Sequence, residues 1–405
     1  MTSATVPFLA LPLRARRLIP AVVAMSTAAG LLAGCSNTQA APSAPLCDTG
    51  QALVLVVSVH QGASAPAIPS AAACLVETAL KSAVPISIVT AEGTPRLLMK
   101  SATWTLNDGQ PESSNPQAYG DDLGAARAAV LRAVQAAKAT SDHNNLAAAL
   151  AMAADQGHQT SATGVRILVV DNGLSDAGAV NMAQPGMTAA NRDEVAQFVR
   201  SHGGCPSDLS GTTMTLYGAG YGVDPQPRLA SQQLTAVGQI WQKVIEACGG
   251  HLDLVPTPRT DAGPDTTFTV TPVPVIPDAV VPAHPAGASV TFGDDGPLHF
   301  KPDSAELTDP TAAQQTLKPV ADYLNEDPGH VITIFGTTSN GRTAWDSYTA
   351  LAQARSLTVQ QILTSALGVR SGQIHCVGLG YTADPPVVDP ATAALNRRTR
   401  ISFDT

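Results

Sequence analysis

Apolar residues along the chain alternate between short continuous runs and longer segments with helical period. The runs at 52–57 and 165–170 contain almost no polar residue, which is typical of strands buried on both faces. Segments with helical period, such as 121–138 and 232–247, lie between such runs. This strand–helix alternation predicts an α/β domain over residues 47–255, with a central, mostly parallel sheet and helices on both faces.

The last hundred residues show a second pattern. Apolar strands are predicted around 289–300, at 331–336 and at 373–378, with a final strand entered through 396–398. Amphipathic helices are predicted at 309–325 and after 346, so the order is β-α-β-α-β-β. We therefore predict a separate α+β domain over residues 288–405.

Residues 256–287 connect these two predicted domains. They contain eight prolines and no helical period. This composition predicts an extended, semi-rigid linker that would let an anchored protein hold its last domain away from the membrane, with one short strand at 266–271 as the element considered within it.

The N-terminus has the pattern of a secretion signal. Three arginines, Arg14, Arg16 and Arg17, precede an apolar segment at 18–33 that is too short for a comfortable transmembrane helix. We assign residues 1–34 to a signal peptide and 35–46 to a polar tether. Export to the cell envelope follows from this assignment.

The signal ends in Leu-Ala-Gly-Cys at 32–35, which resembles the lipobox of bacterial lipoproteins. The resemblance implies that the thiol of Cys35 carries a diacylglycerol. Each buried CH₂ of such an anchor adds about 0.8 kcal/mol of membrane affinity. The alternative is an ordinary signal peptide in which Cys35 is incidental.

Charge and composition exclude one class of function. The formal net charge is −9, and removal of the three arginines in the signal makes the exported chain −12. Nucleic-acid binding requires clustered Lys and Arg, so we expect no nucleic-acid partner. A chain of 405 residues with 44% apolar residues is consistent with two or three folded domains.

Six cysteines occur without the spacing of a zinc site. In an oxidising compartment they can pair, and the sequence leaves open whether Cys248 pairs with Cys47 or with Cys205. Cys376 lies in a predicted strand, where a buried free thiol is expected.

The order and spacing of elements over 47–255 resemble a von Willebrand factor A-like domain. That family often binds a divalent metal through a D-x-S-x-S loop, a Thr and an Asp. The corresponding positions here are Ser58, His60, Gly62, Asn144 and Asn172 (or Asp171). Because Mg²⁺ requires several hard oxygen ligands, we predict no metal or other cofactor. The domain is then expected to contact another envelope protein or to act as a spacer.

The C-terminal segments resemble the OmpA-like, peptidoglycan-associating domain. The resemblance is carried by FKPDSAEL at 300–307, GTTS at 336–339, LAQAR at 351–355, GLG at 378–380 and NRR at 396–398. It covers roughly the final quarter of the chain. In that family an Asp binds the ammonium of the diaminopimelate residue in the peptidoglycan stem peptide, and an Arg binds its carboxylate.

Arg355 matches the family's arginine, whose planar guanidinium pairs a carboxylate through two parallel hydrogen bonds. Ser339 stands where the Asp belongs, and Asp346 is the nearest carboxylate, although it also fits a helix cap. Loss of a charged hydrogen bond costs on the order of 1.5–3 kcal/mol. The predicted peptidoglycan-binding residues are Arg355, Ser339, Asn340, Asn396 and Arg398.

Taken together, these patterns predict an exported lipoprotein, anchored in a membrane through Cys35, that binds peptidoglycan without covalent chemistry. The alternative is a protein-interaction scaffold of an envelope complex in which both domains have lost their ligands. No G-x-S-x-G, phosphate-loop or H-E-x-x-H motif occurs, so we expect a binding protein and not an enzyme.

Overall fold

The computed structural model describes residues 47–161, 164–206, 208–259, 262–283, 285–339, 345–381 and 389–404. Cys35 and the predicted signal lie outside the described residues. Pro45–Thr405 forms one compact unit. None of the helices in the described ranges combines the length and the apolar character that crossing a membrane requires.

Residues 52–255 contain a six-stranded sheet in the order β3-β2-β1-β4-β5-β6. Its strands are β1 (Ala52–Ser58), β2 (Ile86–Ala91), β3 (Leu97–Ala102), β4 (Val165–Val170), β5 (Thr212–Tyr217) and β6 (His251–Val255). All neighbours pair in parallel except β3, which runs antiparallel at one edge. Residues 47–255 are called the large-sheet region below.

Five helices cover this sheet. They are α1 (Ala73–Lys81), α2 (Pro116–Gln135), α3 (Leu146–Thr160), α4 (Arg192–Ser201) and α5 (Ser231–Ala247). Alternate residues of β1 divide between two apolar cores: Val54 and Val56 belong to the core under α3, α4 and α5, and Leu53 and Leu55 to the core under α1 and α2. The predicted mostly parallel sheet with helices on both faces is therefore confirmed.

Two disulfides close loops in the large-sheet region. Cys205 pairs with Cys248 at a Cα–Cα distance of 5.6 Å, which is one of the two alternatives left open by the sequence. The other alternative, Cys47 with Cys248, is wrong because Cys47 pairs with Cys74 in α1 at 5.3 Å. Cys376 is a free thiol, and it is half-buried where full burial was expected.

The proline-rich connector lies along the large-sheet region. Its described residues contain neither helix nor strand, so the short strand considered at 266–271 is absent there. Its backbone amides donate hydrogen bonds to side chains of that region: Thr271 to Asp176, Val273 to Gln226 and Ile276 to Gln233, at 2.7–2.8 Å. Residues 262–283 are therefore packed along the large-sheet region, a contact that the prediction of an extended linker did not include.

The C-terminal residues form a four-stranded sheet in the order β7-β10-β8-β9. Its elements are β7 (Ser289–Phe292), α6 (Pro310–Glu326), β8 (Ile332–Thr337), α7 (Tyr348–Gln361, continued by a π turn at Ile362–Ala366), β9 (Ile374–Gly380), α8 (Pro390–Asn396) and β10 (Thr399–Phe403). The predicted order holds except for α8, which precedes the last strand. Residues 288–404 are called the small-sheet region below.

Helix α6 begins as its sequence predicts. The Asp309 side chain accepts hydrogen bonds from Thr311 N and Ala312 N, and Pro310 occupies the first helical position. Helix α7, in contrast, is capped by Ser347, whose hydroxyl accepts from Ala350 N at 3.0 Å. Asp346 is thus not the cap of this helix.

Helix α7 lies unusually close to β8 and β9. A Cβ at Gly336 would be 2.3 Å from the Ala352 carbonyl oxygen, and one at Gly378 would be 2.5 Å from Gln353 N. These glycines permit the close approach, and Ala352 and Arg355 are buried as a result.

Helix α8 joins the two regions. Ala391 and Ala394 belong to the apolar core of the large-sheet region, together with Val195 and Val199 of α4. Gly186, at φ +90°, allows the contact, because a Cβ there would be 2.1 Å from the Ala391 carbonyl oxygen. The small-sheet region therefore depends on the large-sheet region for part of its burial.

Candidate functional site

A cavity of about 170 Å³ lies where α7, the end of β8 and the N-terminus of α4 meet. Both acidic and basic side chains line this cavity. The large-sheet region supplies an acidic one, and the small-sheet region supplies both kinds. Its polar and charged lining residues include Glu194, Asp294, Thr338, Ser339, Arg355 and Arg397. A cavity of this size fits one end of a ligand better than a whole drug-sized molecule.

Arg355 is buried at the wall of this cavity, with 7% of its surface exposed. Its guanidinium lies over the Phe300 ring at 5.1 Å from the centroid, and its Nε donates to the Ser304 carbonyl at 2.9 Å. Burial lowers the pKa of Arg355 to about 10, so it stays charged at neutral pH. Arg355 therefore does not face solvent.

The two terminal nitrogens of Arg355 keep their hydrogen-bonding capacity. Within the described part of the chain neither donates a hydrogen bond, and no carboxylate oxygen lies within 4.0 Å of the guanidinium. Nearby, the hydroxyl of Thr338 is buried without a hydrogen-bond partner, although this residue is only 2% exposed. Buried polar atoms are normally paired, so the cavity is arranged for a polar ligand.

Ser339, the residue in place of the family's Asp, is already occupied. Its hydroxyl accepts a hydrogen bond from Arg397 Nε at 2.9 Å. Arg397 Nη1 also donates to Asp294 at 3.1 Å and to Glu194 at 2.6 Å. Burial alone would lower the pKa of Arg397, but these two carboxylates raise it above its ordinary value. Arg397 therefore stays positively charged.

Asp294 is 8% exposed and follows β7. Burial raises the pKa of Asp294, and the neighbouring Arg397 offsets part of that shift. Removal of Arg397 would leave this buried carboxyl group with only the more distant His299, whose Nδ1 lies 4.0 Å from Asp294 Oδ1.

Of the other residues predicted for the site, Asn396 and Arg398 are not among those that line this cavity in the described part of the chain. Asn396 is buried at the end of α8, where its Nδ2 donates to the Thr392 carbonyl. Arg398 is exposed and lines a smaller adjoining cavity. Asn340 lies outside the described residues, and Asp346 is exposed and outside the cavity lining.

Sequence reasoning missed Arg397, Asp294, Thr338 and Glu194. Arg397 lies in the Asn-Arg-Arg motif, but the motif alone does not show which arginine faces the cavity. No sequence pattern indicated that Glu194 would reach this cavity, because Glu194 belongs to the large-sheet region and lies 203 residues away from Arg397 in sequence.

A second polar cluster lies at the carboxyl ends of β1 and β4, where the resemblance places a metal site. His60 Nε2 is 3.0 Å from Asp171 Oδ2, and His60 Nδ1 is 2.7 Å from the Gln61 carbonyl oxygen. Both partners are acceptors, so both ring nitrogens donate when His60 is protonated. Burial alone would lower the pKa of His60, but Asp171 raises it.

Asp171 is the one carboxylate among the positions that correspond to the family's metal ligands, and it is paired with His60. Asn144 donates weakly to the same carboxylate at 3.4 Å, and the Asn172 amide donates to the Gly62 carbonyl at 2.9 Å. The described residues contain no group of three or more His, Cys, Asp or Glu side chains placed to hold a metal ion.

The fold and the cavity define a mixed α/β protein with two sheets and a small pocket lined by charged residues. Comparison of the sequence finds no matching family model and no matching curated protein. Comparison of the structure finds partial similarities to solved proteins.

Three of these structures illustrate the similarity. The periplasmic domain of Helicobacter pylori MotB (residues 78–256) is 21% identical, with 30% of this chain and 77% of that chain covered and a TM-score of 0.26. The peptidoglycan-associated lipoprotein from Burkholderia pseudomallei is 30% identical, with 28% and 89% covered and a TM-score of 0.23. The OmpA-like domain of Francisella tularensis FopA1 is 17% identical, with 29% and 71% covered and a TM-score of 0.22.

Proposed function

We propose that this protein is an exported, non-enzymatic lipoprotein of the cell envelope that binds the stem peptide of peptidoglycan in the cavity around Arg355. The lipid on Cys35 would attach the chain to a membrane. The protein would then connect that membrane to the cell wall without a covalent bond to peptidoglycan.

One observation carries the binding proposal. Arg355 is buried and oriented by Phe300 and Ser304, yet its two terminal nitrogens have no acceptor among the described residues. The two terminal nitrogens of such a guanidinium can donate two parallel hydrogen bonds to the two oxygens of a carboxylate that lies in the same plane. The unpaired Thr338 hydroxyl adds a further polar group on the same cavity wall.

The class of ligand comes from the resemblance of the C-terminal motifs. Arg355 occupies the position that receives the diaminopimelate carboxylate in OmpA-like domains. The small cavity suits the free end of such a residue, which carries one carboxylate and one ammonium. Electrostatic complementarity of this kind determines orientation and specificity.

The test is retention on purified peptidoglycan, with the whole exported chain. The small-sheet region is unsuitable alone, because α8 is buried against the large-sheet region. We expect the wild-type chain to be retained and Arg355→Ala to lose roughly 10- to 150-fold in affinity, the equivalent of one charged hydrogen bond. Arg355→Lys should recover only part of this loss, because lysine keeps the charge without the planar fork.

Arg370→Ala is the matched control, since it removes an exposed arginine of the same region that does not line the cavity. Thermal unfolding of each variant separates loss of binding from loss of fold. Equal retention of wild type and a folded Arg355→Ala variant would contradict the proposal. Absence of wild-type retention, together with a stable protein partner in detergent extracts, would select the scaffold alternative.

The lipid anchor has its own test. Cys35→Ala should release the protein from the membrane fraction, and metabolic labelling with a fatty acid should label the wild type alone. Labelling of the Cys35→Ala variant would show that the anchor is elsewhere.

A further inference from the structure

The proposed ligand carries an ammonium, and the cavity must provide an acceptor for it. The motif position that would supply a carboxylate is Ser339, whose hydroxyl already accepts from Arg397. Asp294 is almost fully buried and paired with the same arginine. The acceptor must therefore be found among the other lining residues.

Glu194 lines the cavity from the opposite region of the chain. It lies in the first turn of α4, which Asn191 caps by accepting from Asp193 N and Glu194 N. This cap fixes the start of the helix, and a carboxylate in the first turn interacts favourably with the helix dipole. The Glu194 side chain is consequently held at the rim of the cavity.

The two carboxylate oxygens of Glu194 differ. Oε2 accepts from Arg397 Nη1 at 2.6 Å, whereas Oε1 accepts no hydrogen bond from any described residue. An ammonium can therefore bind at Oε1 while the ion pair with Arg397 stays in place. Because about a third of the side chain is exposed, the approach from solvent is open.

We propose that Glu194 receives the ammonium of the stem peptide, in place of the family's missing aspartate. The binding site is then composite: the small-sheet region supplies Arg355 for the carboxylate, and the large-sheet region supplies Glu194 for the ammonium. This inference rests on the proposed function and adds a role for the large-sheet region in recognition of the wall.

The experiment compares two synthetic peptides by calorimetric titration of the whole exported chain. One is the stem tripeptide that ends in diaminopimelate, and the other contains 2-aminopimelate, which lacks only the distal ammonium. We expect the wild type to prefer the first peptide by about tenfold or more, the worth of a charged hydrogen bond. Glu194→Gln should abolish this preference, and any loss that comes from the weakened contact with Arg397 should be the same for both peptides.

Asp193→Asn is the matched control. It removes a carboxylate from the same helical turn, but Asp193 pairs with Lys243 and does not line this cavity. We expect its preference to equal that of the wild type. A purely structural role of Glu194, through its ion pair with Arg397, would weaken both peptides equally in Glu194→Gln and would overturn the inference.

Other outcomes are also decisive. If Glu194→Gln keeps the wild-type preference and Asp303→Asn abolishes it, Asp303, which also lines the cavity, is the acceptor and the inference is wrong. In that case the proposed function survives. If the wild type binds neither peptide, the proposed function fails, and the inference fails with it.

Discussion

Arg397 donates a hydrogen bond of 2.6 Å to Glu194 across the contact between the two regions of this protein. Beside it, Arg192 of the large-sheet region lies 3.3 Å from Asp295 of the small-sheet region. Arg397 and Glu194 both line the cavity that contains Arg355, so the candidate binding site and the contact between the regions share residues. A change at one therefore affects the other.

Arg397→Ala should destabilise the protein by about 3 kcal/mol, because it leaves the buried Asp294 without its cationic partner. The midpoint of urea unfolding measures this loss. The neighbouring Arg398→Ala removes an exposed arginine and should change the free energy of unfolding by about 0.5 kcal/mol or less. Equal midpoints for the two variants would show that the Arg397 ion pairs do not contribute to stability.

Gly186→Ala should be more destabilising than Gly203→Ala. Both glycines have positive φ, +90° and +69°, so alanine introduces backbone strain at each. At Gly186 the new Cβ also meets the Ala391 carbonyl oxygen at 2.1 Å, whereas at Gly203 nothing lies within 4 Å. We expect an additional cost of about 1–3 kcal/mol at Gly186, as for overpacked sites. Thermal unfolding of the two variants gives the difference, and equal losses would exclude a tight contact with α8.

The His60–Asp171 ion pair should make stability depend on pH. The pKa of His60 is raised above its ordinary value of 6.5, so its contribution is complete below that pH and is lost as the pH rises through the folded pKa. Unfolding free energies measured from pH 6 to 9 should decrease over this window. The double variant His60→Gln/Asp171→Asn should show a smaller decrease, which comes from His143, whose pKa Asp176 also raises. An unchanged slope would assign the whole decrease to groups other than His60.

Removal of the disulfide between Cys205 and Cys248 by a double serine substitution should cost about 4 kcal/mol in the loop-entropy account, since the bond closes a loop with a sequence separation of 43. Cys376→Ser is the control, because this thiol is free and half-buried. A loss no larger than that of the control would indicate that the bond is unformed in the exported protein.

Much of the local structure could be predicted from the sequence. The buried strands β1 and β4 appear as runs that are almost entirely apolar, and the N-cap of α6 appears as Asp309 before Pro310. The π turn after α7 and the short helix α8 had no distinct periodicity. Ser347 as the cap of α7 was missed, because Asp346 beside it fits the same pattern.

The position of the site was predicted only in part. Arg355 and Ser339 were identified from motifs, and the structure places both at one cavity. The connector was predicted only as an extended linker, because proline-rich composition indicates an extended chain but not its contacts. Its hydrogen bonds to Asp176, Gln226 and Gln233 depend on side chains far away in sequence.

The sequence by itself determined the strands and most helices, since burial patterns and capping act between neighbours along the chain, and the motif resemblance identified Arg355 as a candidate binding residue. Only the tertiary structure decided that Ser339 is used by Arg397 and that Glu194 reaches the same cavity. The physical reason is distance along the chain. The pairing of Arg397 with Glu194 spans 203 residues and exists because α8 packs against α4, a contact that no local pattern encodes.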